Sequence, residues 1–174
     1  MSHFEPTKYS AAILDLDGVI TRTMLVHIKA WKIMLDEYLL KKSIKDDIDY
    51  ELIDLAIDYP NYIDGIPRNE GVANFLASRN IFIEEGEVDD EPGKETICGL
   101  GNRKFECFKH IIEEEGIVVY YDNVNVIKDW KRQGIRMGVI SLSHSSEFVL
   151  QITGLIDLFD VVIDGKDMWK LRLP

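Results

Sequence analysis

Two aspartates one residue apart, Asp15 and Asp17, are the first residues in this sequence whose spacing suggests chemistry. They stand where an apolar run, Tyr9 to Leu16 (YSAAILDL), gives way to Gly18. A carboxylate at the end of a strand can attack an electrophile or ligate a hard cation. A second carboxylate close by can exchange a proton with a leaving group. Gly18 permits a tight turn and close approach of the backbone to a ligand. An isolated Asp-x-Asp-Gly could also be a polar turn that merely ends a strand. Here an apolar strand precedes it and a helical stretch follows, and open α/β sheets hold their ligands at the carboxyl ends of the strands.

The elements that would position these acids follow from hydrophobic patterning. Tyr9 to Leu16 is continuous enough to read as a buried strand of a parallel sheet covered by helices. Met24 to Leu40 has helical spacing, with Leu25, Ile28, Trp31, Leu35 and Tyr38 near one face. Ile48 to Tyr59 reads as a second helix stopped by Pro60, and Pro67 opens a third with Val72, Phe75 and Leu76 as its apolar stripe. Glu84 to Glu95 is an acidic, Gly/Pro-marked stretch that reads as a solvated connection, and its acids lack the alternation of a calcium loop. Thr96 to Glu115 is helical, with a break expected near Gly99 and Gly101. Helices over 123–133 and 145–153 then alternate with strands over 135–141 and 159–163. The strand–helix–strand order argues for an α/β fold with a parallel sheet of about three strands and right-handed crossovers. The stretch from about residue 24 to 98 is too long for a simple crossover and reads as an inserted helical cap.

Composition narrows the function. The 174 residues carry 31 acidic and 20 basic side chains, a net charge of −11, which argues against nucleic acid and anionic membrane surfaces as partners. No apolar run approaches the ~20 residues that span a bilayer, and the first residues lack the pattern of a signal peptide, so a cytoplasmic protein is expected. The two cysteines, Cys98 and Cys107, have no partner motif and read as reduced, packed thiols.

With the Asp15-Leu16-Asp17-Gly18-Val19-Ile20-Thr21 segment in view, the chain resembles the haloacid dehalogenase-like phosphotransferases. DLDGVITRTMLVHIKAW resembles more narrowly their β-phosphoglucomutase-like branch with a helical cap. DGIPRNEGVANFLASR and GLGNRK resemble the same branch. The resemblance covers residue 10 to the last residue. It implies a Rossmannoid core over 1–23 and 99–174 and a cap over 24–98. It implies phosphoryl transfer to Asp15 through an aspartyl phosphate, with Asp17 as acid and base. It implies Mg²⁺ on the Asp15 carboxylate and the Asp17 carbonyl, offsetting the repulsion between carboxylate and phosphate. Gly18, the Ser141 hydroxyl and the Leu142 N–H would face the phosphoryl group. His27 and Trp31 fit the family's H-x-x-x-W, and with Arg103 and Lys104 they would meet the substrate when the cap closes. Read without the family, Trp31 is a core residue, His27 a satisfied helix residue, and Arg103-Lys104 a solvated pair at a helix start. The implied substrate is a small phosphorylated sugar, and the implied outcome is that of a phosphatase or a phosphomutase.

The departures are as specific as the match. The family's third motif is a Lys after the third strand, and its fourth is an acidic pair after the fourth strand. Lys166 and Lys170 sit too early for the third motif, and no acidic pair follows them. His144 and Ser145 stand where a basic residue and Asn are common, and Arg22 where an Asp is common. Without a fourth strand the first strand becomes an apolar edge, which invites self-association. A fragment of a longer protein, or a catalytically weak relative kept for binding a partner or a phosphorylated ligand, is the competing expectation.

Overall fold

Three short β-branched or apolar runs, each ending at a polar residue, form one parallel sheet in the computed structural model, which describes residues 8–167. The strands are β1 (Ala11–Asp15), β2 (Arg136–Ile140) and β3 (Val161–Ile163), in that spatial order. Ala11 pairs with Arg136 and Asp15 with Ile140, and Gly138 pairs with Val161 and Ile140 with Ile163. The chain forms two units. One holds the described residues through Met24 together with those from Ile117 onward, and the other is Leu25–Gly116. The first unit is α/β and the second is helical, as the sequence predicts. The helical unit, however, runs on to Gly116 rather than ending at 98. The helix that starts at Ile97 packs its apolar side within that unit, burying Leu100, Phe108, Ile111 and Ile112.

In the sheet unit, α5 (Tyr121–Arg132) leads into β2, and α6 (Ser146–Ile152) connects β2 with β3 through a 3₁₀ turn at Ile156–Leu158. Both crossovers advance in the same direction, and right-handed crossovers of that kind put their helices on one face. Met137 and Val139 on that face are 1% exposed. The opposite face carries Ile13 at 73% and Val161 at 51% exposure. The expectation that β1 is buried on both faces is therefore corrected. Among the described residues β1 is an edge strand with one open face.

In the helical unit, α1 spans Met24–Asp46, longer than the expected end at Leu40. The ion pairs Lys32–Asp36 (2.7 Å) and Glu37–Lys41 (2.7 Å), four residues apart, support its surface, and Lys42 and Lys45 reach Glu95 at 3.1 and 2.6 Å. Its buried face keeps Trp31, Leu35 and Tyr38 as expected and adds Val26, Ala30 and Met34, whereas Leu25 is exposed.

The expected helix over 48–59 does not form. Asp36 accepts the Ile53 N–H at 3.1 Å and Ser43 the Tyr50 N–H at 3.1 Å, while Arg79 donates to the carbonyls of Glu51 and Leu52. Those side-chain bonds replace the helical ladder. Helix α2 (Asp58–Tyr62) comes afterwards and contains Pro60 in its first turn, where a missing N–H costs nothing. Helix α3 (Arg68–Ser78) follows Pro67 as expected.

Helix α4 (Ile97–Glu115) runs through Gly99 and Gly101 without a break. A Cβ at Gly101 would meet Asn69 Oδ1 at 2.7 Å, so this glycine serves close helix packing rather than interruption. The 84–95 stretch is more than a solvated connection. Buried Asp90 accepts from the Thr96 hydroxyl at 2.6 Å, from the Glu87 N–H at 3.1 Å and from the Lys94 ammonium. Thr96 in turn caps α4 through the Gly99 N–H at 3.0 Å. Both cysteines are free and buried. Among the described residues no helix is long and apolar enough to cross a membrane.

Candidate active site

Parallel register brings Asp15, Ile140 and Ile163 abreast at the carboxyl ends of β1, β2 and β3. The residues that leave those ends are Asp17, Ser141 and Asp164, so the polar groups of three strands share one rim. The chain leaves β1 through a tight turn. Gly18 adopts φ +83° and donates to the Thr21 carbonyl at 2.7 Å, while Ile20 and Thr21 donate to the Leu16 carbonyl at 2.9 and 3.0 Å. A residue with a Cβ would be strained at Gly18.

This turn folds the chain back on Asp17. The Thr23 hydroxyl donates to Asp17 Oδ1, and the Ser141 hydroxyl donates to Asp17 Oδ2 at 3.2 Å. Thr21 and Thr23 share a hydroxyl–hydroxyl bond of 3.0 Å, and both are fully buried. Asp17 is thus oriented from both sides by hydroxyls on different elements. Asp15 is exposed, and one of its oxygens accepts the Leu16 N–H at 2.7 Å.

The loop after β2 is built from serines. Ser141 is buried, and its hydroxyl oxygen accepts the Ser143 N–H at 3.0 Å. The Ser143 and Ser145 hydroxyls bond to each other, and Ser146 donates to the Ser143 carbonyl at 3.3 Å as α6 begins. Among the described residues no acceptor takes the Leu142 N–H. Asp164 is buried, and its carboxylate accepts the N–H groups of Lys166 (2.8 Å) and Asp167 (3.4 Å), a cap on the helical turn at 165–167. Lys166 lies in that turn, and Lys170 falls outside the described residues.

A second polar cluster lies within the helical unit. His27 is buried and stacks on Phe108 with centroids 4.3 Å apart. Buried Lys104 places Nζ 2.6 Å from His27 Nδ1, and 5.5 and 5.3 Å from the ring centroids of Trp31 and Phe108. An ammonium has donors only, so Nδ1 accepts and the imidazole proton sits on Nε2. The basic pair divides. Lys104 turns inward, whereas Arg103 bonds Glu37 at 2.9 Å and Glu106 at 3.5 Å. Lys41, foremost, and Arg103 hold the Glu37 carboxyl below its ordinary range against the opposing effect of burial.

The residues singled out from the sequence thus fall into two sets. Asp15, Asp17, Gly18, Ser141 and Leu142 gather at the sheet rim. His27, Trp31 and Lys104 form a cluster in the helical unit, with Arg103 beside it on α4 but paired to acids. Thr23 escaped the sequence reading, although the alternating hydroxyls of Thr21 and Thr23 just after Asp-Gly were a usable signal. A groove of about 860 Å³ between α1 and α4 has an apolar floor at Ile33, Leu55 and Cys107, and paired charges such as Lys29–Glu115 rim it. Those charges cancel, so it offers no concentrated field for an anion.

The metal expected from the resemblance can be tested against this donor set. Asp15 offers an exposed carboxylate and Asp17 a main-chain carbonyl. Among the described residues no group of three or more His, Cys, Asp or Glu side chains could hold a metal. Sparse hard oxygens suit Mg²⁺, which keeps several waters and uses one or two carboxylates plus substrate phosphate. Asp15 and the Asp17 carbonyl are the groups that would hold it, with water and phosphate completing the shell.

Comparison with known proteins gives the family and the fold. A family model described as haloacid dehalogenase-like hydrolase matches residues 9–170. The chain is similar to a β-phosphoglucomutase of Mycobacterium bovis, 37% identical over 160 residues, covering 92% of this chain and 61% of that one. It therefore spans about three fifths of the length of that curated relative. A β-phosphoglucomutase crystal structure from Clostridium difficile superposes with a TM-score of 0.62 at 26% identity, over 91% of this chain and 62% of that one. CbbY from Rhodobacter sphaeroides, solved in complex with phosphate, shares the fold with a TM-score of 0.64 at 21% identity, over 95% of this chain and 71% of that one.

Proposed function

Because the chain belongs to the haloacid dehalogenase-like hydrolase family, we propose that its sheet rim transfers a phosphoryl group from a small sugar phosphate by way of Asp15. The observation that carries this reading is the pairing of two differently treated carboxylates. Asp15 is exposed and has room for a phosphorus centre, whereas Asp17 is fixed by Thr23 and Ser141. In this reading an Asp15 oxygen attacks phosphorus, and the P–O bond to the sugar breaks to leave an aspartyl phosphate. Asp17 gives its proton to the departing sugar oxygen and then takes one from the incoming water or hydroxyl. The Leu142 N–H receives the charge that develops on the transferring oxygens, and the Ser141 hydroxyl joins it by turning its one proton from Asp17 to the phosphoryl group. Asp15 and Asp17 would hold Mg²⁺, which neutralises the phosphate against the carboxylate. Water as the second acceptor gives a phosphatase, and a sugar hydroxyl gives a phosphomutase.

The names of the relatives support the sugar phosphate class, since the Mycobacterium bovis and Bacillus subtilis proteins are both β-phosphoglucomutases. The deciding experiment is phosphate release from a panel of sugar phosphates by this chain and by Asp15→Asn. Release that requires both Mg²⁺ and Asp15 supports the reading. Tight binding of a sugar phosphate without turnover points instead to a binding protein. The open edge of β1 further suggests self-association, with Ile13 at its centre.

A further inference from the structure

The turn after β3 bears on the Ser141–His144 loop through a side chain that is not there. Gly165 is buried, and a Cβ added to it would stand 2.4 Å from the Leu142 carbonyl oxygen and 2.5 Å from His144 Cδ2. Non-bonded heavy atoms pack at about 3.5–4.0 Å, so the two elements could not keep this separation around any side chain. Gly165 also donates its N–H to the Ser143 carbonyl at 3.2 Å, which fixes the pair in contact.

The β3 turn is the firmer partner. The Asp164 carboxylate takes the Lys166 and Asp167 N–H groups, and Asp167 Oδ2 takes the Asp164 N–H at 3.3 Å. Just before it, the Ile163 carbonyl accepts the Ser141 N–H at 3.0 Å. The serine loop lies across this turn, with Leu142 40% exposed, and is the side that would yield.

We infer that Gly165 is a positioning residue, whose bare backbone sets where the Leu142 N–H and the Ser141 hydroxyl stand for a phosphoryl group. The inference rests on the phosphoryl-transfer reading above. Gly165→Ala must push the 142–144 loop outward by roughly 1 Å. A displacement of that size in a positioning group can cost about a hundredfold in rate.

The test is a titration of the amide spectrum with inorganic phosphate in the presence of Mg²⁺, on the full chain. In the wild type, phosphate should shift the Leu142 and Ser143 amides and, through the Gly165–Ser143 bond, the Gly165 amide as well. Gly165→Ala should bind phosphate at least about tenfold more weakly. Lys166→Ala, an exposed neighbour in the same turn, should bind as the wild type does. A merely structural glycine would lower the unfolding midpoint and leave phosphate affinity of the folded protein unchanged. Equal affinity in Gly165→Ala, or a Leu142 shift with Gly165 unmoved in the wild type, overturns this inference and leaves the phosphoryl-transfer reading standing. No phosphate-induced shift at Leu142 in the wild type overturns both.

Discussion

Removing the Asp58 carboxylate should loosen the 48–57 segment, because the Asp58–Arg79 ion pair is one of the anchors of its irregular backbone, beside Asp36 and Ser43. Arg79 Nη2 lies 2.6 Å and Nη1 3.1 Å from the two Asp58 oxygens, a bidentate pair with side chains 14% and 6% exposed. The same guanidinium donates to the Glu51 and Leu52 carbonyls and stacks over Phe75 at 4.7 Å, and Asp58 also accepts the Asp54 N–H at 2.8 Å. Breaking a buried pair by removing one partner costs about 3–5 kcal/mol. Arg79 keeps its two carbonyls and some solvent in Asp58→Ala, so the lower end, ~3 kcal/mol, is expected. For a chain of this size that corresponds to a fall of roughly 6–12 °C in Tm.

Urea unfolding gives the energy, and amide exchange at Tyr50 and Ile53 gives its location. Asp58→Ala/Arg79→Met should recover much of the loss, since an apolar replacement leaves no unpaired charge. The pH dependence has a defined sign. Burial pushes the Asp58 carboxyl up, but Arg79 and the Asp54 N–H outweigh it and hold it below its ordinary value. A depressed carboxyl stabilises fully above the unfolded value of ~3.9 and loses that contribution as pH falls through the folded value. The gap between wild type and variant should therefore close in acid below about pH 4. A cost under ~1 kcal/mol, or a gap that persists undiminished at about pH 3, would refute the anchor.

The remaining expectations concern the rim, the helix cap and the edge. Asp15→Asn should lower phosphate release by at least ~10³-fold while leaving the unfolding midpoint within a degree or two, as steady-state kinetics and a thermal scan would show. Ser141→Ala removes the single hydroxyl proton that holds Asp17 in the free protein and would turn to the phosphoryl group, and kcat should fall by about 10²-fold. Thr96→Val deletes the α4 cap and the hydroxyl on Asp90, and should cost about 1–2 kcal/mol in urea with faster exchange over 84–95. Ile13→Lys should abolish concentration-dependent sedimentation if β1 is the associating edge, and a wild-type chain that sediments as a clean monomer refutes that role.

The parts legible in the sequence were those set by local pattern. The three strands announce themselves as apolar runs ending at Asp15, Ser141 and Asp164, and α3, α5 and α6 carry their own start and stop residues. The place of Asp15 and Asp17 at the carboxyl end of β1 was legible because the apolar run before them stops there. What escaped depends on partners far away in the chain. The 48–57 segment has apolar residues at plausible helical intervals, but Arg79 and Asp36 claim its backbone. The apolar residues of α1 spread beyond one narrow stripe, so periodicity did not separate exposed Leu25 from buried Val26, Ala30 and Met34. Ile13 reads as core in a continuous run, yet crossovers that all advance one way leave its face uncovered. Thr23 and Gly165 gain their roles only when a turn folds back or two strand ends come side by side.

The pairing of β1 with β2 has a consequence for how the chain reaches this structure. Arg136 follows its partner Ala11 out of the ribosome roughly 125 residues later, about 6–25 s at ordinary translation rates. During that wait β1 is an apolar ribbon with no companion. Closing so long a flexible loop carries a large entropic cost. The intervening helical unit, Leu25–Gly116, is complete in sequence before β2 is made and can form first. Once it has, Arg22 and Tyr120 can donate to the carbonyls of Val118 and Ile20, each at 2.9 Å. Those bonds join the segments that follow β1 and precede α5, and deliver β1 to β2 as near neighbours. A substitution that slows the helical unit should therefore show itself as aggregation of newly made chains, even where the finished protein is scarcely less stable.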